Sequence, residues 1–580
     1  MSKIKNTFRF IFDKLLRSIE RFPMTLLVTL AFVTVVILQI HADFDSKSSE
    51  TLERLIMTLA LAIPLTAAAK LGCEKLKVTG LKSTLLQAAT LLIPLAYYLL
   101  MPEELTEYFV MRFMALWAIL FFVFLLVPYF YKRDGLAQYI LHLAGKWFLT
   151  VLFSGVLFGG LSMMVFTLEA LFNIDWWDEV YIDLFFIIAG TFGMTHFLGC
   201  IPEIDHQLEK DQYSKIFKTL FLYIVLPIVS VYTVILYAYF VKILIGFKLP
   251  EGIIGNLVLW YALVSVSTLF FIRDLKEEVS WLSKFMKLFI PLMSVPLGML
   301  FLAIFIRIDA YGMTMPRYFV VALGIFTVVN LCIMWFKKTD TAVVNIIVLM
   351  SLIGITFFGT FSGYQLTLRD QSQRLEELLV AENMLDDEGK IIANANVSKE
   401  SKNKIASKIN FLLRTYESSE IGVLPDDFNR ANAEKTLGFS IDDYGFSEGI
   451  NTRYFSYYQK ESNKIIALDG ADYMMTLNRY QTIKEAALGA NVTLSKSENS
   501  PLVDISKDGN EVLSIDLVKA AAEFYLDQSQ NVIITSDDGS VQAMIYFNNL
   551  DGIILNQGDP QNIDDLEVQY FDAIIFIKLK

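Results

Sequence analysis

Through the first 363 positions the apolar residues come in long blocks, without the spacing of a surface helix. Eleven blocks are long enough to cross a bilayer, whose core needs roughly 20 apolar residues. They fall at about 23–40, 51–70, 83–101, 108–131, 147–172, 180–201, 216–246, 253–272, 284–306, 317–336 and 342–363. Pro64, Pro94, Pro227 and Pro296 lie inside blocks, and neighbouring helices in a bundle can satisfy the backbone groups that proline frees. The seventh block is long enough to hold a kink or a re-entrant turn. Ahead of the first block, Phe8, Ile11, Phe12, Leu15, Leu16 and Ile19 recur at helical spacing among basic residues, predicting an interfacial amphipathic helix rather than a cleaved signal peptide.

Beyond Gln365 the pattern becomes that of water-soluble protein. A helix is expected to continue out of the last block through "LRDQSQRLEELLVAENML", with a second at "SKESKNKIASKINFLLRTY" after the turn "DDEGK". Alternating β-rich runs follow: "TRYFSYY", "KIIAL", "ADYMMTLNRY", "NVTLS", "NVIITS", "VQAMIYF" and "FDAIIFIKL". Turn signals stand at Asp469-Gly470, Asp508-Gly509 and Asp538-Gly539. One helix, "SIDLVKAAAEFYLDQ", sits among the strands with Ser514 or Asp516 as its N-cap. The expected architecture is a polytopic α-helical membrane bundle of about 11 transmembrane helices followed by an α+β soluble domain. Its parts are an interfacial helix at 1–22, the bundle at 23–363 and an extracytoplasmic domain at 364–580.

Charge sorts the connections between blocks. Lys3, Lys5, Arg9, Lys14, Arg17 and Arg21 precede the first block, and Lys70, Lys75, Lys77 and Lys82 fill the second connection. Lys132, Arg133 and Lys146 follow in the fourth, then Lys210, Lys215 and Lys218, then Arg273, Lys276, Lys284 and Lys287, then Lys337 and Lys338. The intervening connections, such as "PEELTE" and "NIDWWDE", are poor in basic residues. This alternation places the N-terminus in the cytoplasm, and an odd number of crossings carries the C-terminal domain out of it, in a bacterial inner membrane.

Composition agrees: 54% of the 580 residues are hydrophobic and 19% charged, with mean hydropathy +0.48. The net charge of −12 hides an asymmetry. From Tyr364 onward there are 20 Lys/Arg against 35 Asp/Glu, and before it 29 against 26. The acidic part is a poor partner for nucleic acid, while membrane lipids are the expected partner of the bundle. No phosphate loop, nucleophile elbow, zinc helix or dinucleotide fingerprint occurs, and no cofactor is expected. The histidines, His41, His142, His196 and His206, and the cysteines, Cys73, Cys200 and Cys332, all precede the soluble part. A histidine-based hydrolase or a zinc site within that part is thereby excluded.

Three sets of residues carry candidate chemistry. Glu203, Asp205 and His206 could be hard metal ligands, but a solvated elbow after Pro202 accounts for them equally and nothing completes a shell, so no metal is expected. Asp43 and Asp45 have DxD spacing in the first outer loop, where lipid-linked glycosyltransferases carry acids; helix capping is the alternative. Arg112, Glu169, Asp183 and Lys242 fall at the outer ends of their blocks, where charges either snorkel or pair around a polar cavity. If the last two sets converge they form a catalytic or binding site for a lipid-linked substrate. Gly155 and Gly159 have GxxxG spacing, with Gly160 widening the groove, and Trp176 and Trp177 fit an interfacial belt. Mid-block polar groups are few, Asn330 among them, which disfavours an ion-coupled carrier.

"LPIVSVYTVILYAYFVKIL" at 226–244, the preceding "GCIPEI", and "RLEELLVAENMLDDEGKI" resemble the bacterial membrane family called domain of unknown function 4153. The resemblance implies a bacterial inner-membrane protein and brings no catalytic residues with it. The expected role is an envelope-associated interaction or scaffold protein, with envelope proteins as partners. The runner-up is a membrane enzyme acting on a lipid-linked substrate at the outer face, or a transporter.

Overall fold

A computed structural model describes residues 15–42, 47–102, 105–130, 135–172, 179–204, 215–246, 253–337, 341–386, 388–441, 453–458, 471–479, 482–489, 492–497, 500–527, 532–536, 538–554, 563 and 566–579. The chain divides into two compact units, Met1–Arg374 and Leu375–Lys580. Most of the expected interfacial helix, Asp43, Asp45, Asp205, His206, Trp176, Trp177, Asp469-Gly470 and "KIIAL" lie outside the described residues.

Among the described residues of the first unit, nine helices are long and apolar enough to cross a membrane: Pro23–Ile40, Ser49–Lys75, Glu107–Tyr129, Leu136–Glu169, Glu179–Gly199, Lys215–Ile243, Leu257–Lys276, Ser280–Tyr311 and Met315–Phe336. The shorter apolar helix Ala342–Phe357 and the pair Gly80–Thr90 and Leu92–Leu99 coincide with the other two expected segments. The unit is therefore a polytopic helical bundle. Its outward residues, Leu30, Leu85, Phe166, Val234 and Phe305 among them, are exposed apolar side chains suited to lipid.

Prolines set where these helices break. A proline ring clashes with the carbonyl four residues back, and the breaks follow: Leu91 interrupts the helix ahead of Pro94, and Met293 ahead of Pro296. Ahead of Pro227 the backbone widens into a π turn over Leu220–Val225, so the seventh segment holds a π bulge rather than a re-entrant loop. The eleventh segment ends at Phe357, six residues earlier than expected. Phe358 is extended and Gly359 takes φ 79°, and a separate helix starts at Gly363. The expectation of one continuous helix is thus corrected, because the left-handed glycine turns the chain.

Polar contacts between segment ends sort the bundle into two faces. On one, Arg21 pairs with Glu74 at 2.8 Å and donates to the Pro202 carbonyl at 3.1 Å, while Lys75 donates to the Pro128 carbonyl. On that face too, Lys218 meets Glu278 at 2.6 Å, and buried Arg273 donates to Thr341 and to the Lys337 carbonyl. On the other, Arg54 donates to the Met101 carbonyl at 3.1 Å, His41 meets Asp183, and Tyr108 donates to the Phe357 carbonyl at 3.0 Å. Asp370 there accepts from Met313 N–H. Each pair joins ends that eleven alternating crossings put on the same face. Arg54 with Met101 shows that the broken third segment runs from one face to the other, and Thr341 with Phe357 shows the same for the short eleventh. The first unit ends at Arg374, whose side chain donates to the Ile308 carbonyl, near the face opposite the basic turns.

Two apolar cores fill the bundle. One gathers Leu236, Tyr261, Leu269, Phe289, Leu300 and Leu331 from segments seven to ten. The other gathers Phe22, Leu71, Phe124, Tyr139, Leu198 and Ile346 from segments one, two, four, five, six and eleven.

The second unit is α+β. Its helix Lys399–Leu413 is capped by Ser398, whose hydroxyl accepts from Ser401 N–H. The strands are β1 Arg453–Tyr458, β2 Tyr473–Asn478, β3 Ile483–Gly489, β4 Val492–Lys496, β5 Leu502–Lys507, β6 Asn510–Asp516, β7 Val532–Thr535, β8 Val541–Ile554 and β9 Leu566–Leu579. One antiparallel sheet runs β1-β8-β9-β2, with β7 sharing the β8 edge, and a second runs β3-β4-β5-β6. Asp508 at φ 51° and Gly509 at φ 79° turn β5 into β6, the two left-handed residues a tight hairpin needs. The helix Leu517–Asp527 is capped by Asp516, which accepts from Val518 and Lys519 N–H; Ser514 instead donates to Asp504 within the sheet. Both sheets and this helix share one core, including Leu494, Ile505, Ile515, Ala521, Phe524, Ile545 and Phe571. β3, β5 and β6 were not expected.

Candidate functional site

The charges expected at the outer segment ends do not converge. Asp183, at the start of the sixth segment, meets His41, at the end of the first, at 2.8 Å. Glu169 at the end of the fifth accepts from the Tyr181 hydroxyl at 2.8 Å. Arg112 lies over the rings of Tyr108 and Phe358, 5.7 and 5.1 Å from their centroids. Lys242 is exposed on the seventh segment. Among the described residues none of these four is bonded to another, so what the structure brings together is a histidine–carboxylate pair and a tyrosine–carboxylate pair on helices that are neighbours around the fifth and sixth segments. Glu203 is the one described member of the elbow set, and no group of three metal-ligating side chains gathers among the described residues.

The larger feature lies inside the bundle. A cavity of about 1370 Å³ is walled by segments one, two, four, five, six, eight, ten and eleven, above the roughly 300–1,000 Å³ of small-molecule pockets. Aliphatic and aromatic side chains make up most of its wall, Phe32, Trp117, Phe121, Phe158, Phe185 and Phe270 among the aromatic ones. No Asp, Glu, Lys, Arg or His contributes to the wall among the described residues. The sixth segment reaches it through a π turn at Ile188–Gly193. There Gly190 comes so near the first segment that an added Cβ would meet Val33 Cγ2 at 2.1 Å. That close approach lets the first and sixth helices close one side of the chamber. Gly155 and Gly159 have open space around their Cα atoms, so the GxxxG stripe packs no helix here, and Gly155 is chamber wall instead.

A few polar groups interrupt the apolar lining. Thr29 donates to the Thr25 carbonyl, and the Thr150 hydroxyl is shared with buried His196 Nδ1 at 2.7 Å. Asn345, 4% exposed, has neither amide oxygen nor amide nitrogen hydrogen-bonded, and the Asn330 oxygen and Thr25 hydroxyl are likewise without partners. Each such buried group costs about 1–3 kcal/mol unless something pairs with it. Of these residues only Asn330 stood out in the sequence; Asn345 and Thr25 were legible as polar residues inside apolar segments, but their facing a common cavity was not.

Comparison with known proteins bears on identity. An uncharacterized protein of Pasteurella multocida (strain Pm70) is 26% identical over 249 residues, 42% of each chain, so this chain spans under half the length of that curated relative. No solved structure matches. The family model described as Domain of unknown function (DUF4153) matches residues 22–386, more than half of the chain, and the protein belongs to that family.

Proposed function

We propose that this is an inner-membrane protein of the cell envelope that takes an amphiphile from the bilayer into its intramembrane chamber and carries an acidic domain on the extracytoplasmic side. The chamber is the observation that carries the reading: a cavity of about 1370 Å³ lined almost wholly by apolar side chains, inside a helical bundle. Water is poorly held by such a wall, whereas an acyl or prenyl chain leaving the bilayer finds there a surrounding as apolar as the one it leaves. A scaffold role for the acidic domain, with envelope proteins as partners, needs no chamber. Handling of a lipid-linked substrate, by transfer or by transport, does.

The side assignment is supported by the basic turns and by the contacts that gather them on one face. The test of function is retention of lipid by the purified full-length protein, read by mass spectrometry of extracts and of the intact complex. Gly155→Trp and Ala144→Trp place bulk in the chamber. Co-purifying lipid in the wild type, displaced in both filled variants at unchanged folding, is the expected outcome. Equal lipid content in all three, or none in any, would overturn the reading.

A further inference from the structure

The turn that joins the ninth and tenth segments gathers arginines, on the face opposite the basic turns. Gly312 there takes φ 82°, and its carbonyl accepts from Arg317 Nη1. Arg374, on the helix Gly363–Ala381, donates to the Ile308 carbonyl at 3.0 Å. A Cβ added to Gly312 would meet Arg374 Nε at 2.8 Å, so two guanidinium groups flank one residue. Arg307 completes the group: it and Arg374 repel Arg317 electrostatically, and Asp370 attracts it. Among the described residues the one ion pair here is Arg374 with Asp370, at 3.3 Å and with side chains 29% and 30% exposed. Asp370 also accepts from Met313 N–H. Exposed Asp309 pairs with none of the arginines among the described residues.

Three cations around a single shared carboxylate leave positive charge uncompensated. The place of Arg317 adds to the imbalance. It is the third residue of the helix Met315–Phe336, whose first turn has no acidic side chain and whose start has no side-chain cap from Thr314. The positive end of a helix dipole disfavours a cation, and local conflicts of this kind mark functional positions. An anion resolves both conflicts. A guanidinium has more donors than the bonds above use, set in a planar fork that matches phosphate oxygens. Leu302, Phe305 and Ile306, within two turns of Arg307, are exposed apolar side chains, so the arginines stand where lipid chains give way to headgroups.

We propose that Arg307, Arg317 and Arg374 bind a phosphate group, carried by a lipid of the leaflet opposite the basic turns whose chains lie along the ninth segment. None of the three arginines lines the chamber, and the site stands whether or not the chamber takes an amphiphile.

The test uses phosphatidylglycerol and diacylglycerol with identical chains, each carrying a diazirine beside the glycerol, against the full-length protein in maltoside micelles. Labelling of the peptide spanning residues 302–318 by phosphatidylglycerol should exceed that by diacylglycerol about tenfold or more, the size of one charge-assisted hydrogen bond. Arg307→Gln and Arg317→Gln should each bring it down to the diacylglycerol level, while excess inorganic phosphate leaves it in place. Replacing Arg307 removes a repelled cation that holds no hydrogen bond among the described residues. The thermal transition of lipid-free Arg307→Gln should therefore match or exceed that of the wild type. Labelling by phosphatidylglycerol that survives both substitutions overturns the proposal, as does equal labelling by the two lipids. Loss of the labelling to inorganic phosphate, with a phosphate-induced rise in the thermal transition that both variants lack, keeps the phosphate site and overturns its lipid source.

Discussion

The Tyr237 hydroxyl donates to the Leu292 carbonyl at 2.8 Å, and Leu292 is the residue that Pro296, four positions on, leaves without its helical N–H. A backbone group freed inside the ninth segment is thereby paired from the seventh, as an apolar surrounding requires. Tyr237→Phe should destabilise the protein in detergent by about 1 kcal/mol. In a Pro296→Ala background, where residue 296 can donate to Leu292 itself, that cost should vanish. A thermal-unfolding cycle over the four proteins measures the coupling, and additive effects would refute the pairing.

The approach of Gly190 to Val33 gives a second prediction. Gly190→Ala puts a methyl where Val33 Cγ2 already stands, and overpacking of this kind costs about 1–3 kcal/mol. Val33→Ala makes room. The cost of Gly190→Ala should therefore be smaller in the Val33→Ala background than in the wild type, as read from the midpoint of thermal unfolding.

Sidedness can be read by labelling. In a Cys332→Ser background, a cysteine replacing exposed Glu388 should react with an impermeant maleimide in intact spheroplasts. A cysteine replacing exposed Lys77 should react only after lysis. The reverse pattern would invert the orientation, and identical behaviour of the two sites would break the odd parity.

Acid should loosen one turn of the second unit. The Ser536 hydroxyl, then the Ser540 N–H and hydroxyl, hold the Asp538 carboxyl at about 2, below its ordinary 3.8. A carboxylate depressed in the folded state contributes stability that is complete above the unfolded value and lost as pH falls through the folded one. Asp538→Asn should thus reduce amide protection of the β7–β8 hairpin at about pH 5, and the gap to wild type should close toward about pH 2. A gap independent of pH would show that the charge plays no part.

Asp183 and His41 join the end of the first segment to the start of the sixth, with side chains 19% and 39% exposed. A partly exposed pair of this kind contributes about 0–1 kcal/mol. Asp183→Asn should leave folding nearly unchanged, and any large effect on lipid retention would then point to a role for the pair beyond stability.

The sequence by itself determined the class of each half and the apolar segments, and its basic turns fall on the ends that the contacts gather on one face. Those properties come from transfer of whole segments between water and lipid, which depends on local composition, and from basic residues counted turn by turn. It also determined the turn at Asp508-Gly509 and narrowed the helix cap to Ser514 or Asp516, where backbone geometry is set within four residues; the strands on either side of that turn and the choice of Asp516 came from the structure. Only the tertiary structure decided the rest. "IKEAALG" has helical propensity and becomes β3 because β4 offers it a ladder. Arg112, Glu169, Asp183 and Lys242 share a depth in the sequence, yet their rotation about each helix axis sends them to different neighbours. Asn330, Asn345 and Thr25 look like isolated polar residues along the chain and become parts of one cavity wall because packing sets the first segment with the tenth and eleventh around the same space. Cavities and orphaned groups arise from packing between segments, and no segment carries that information alone.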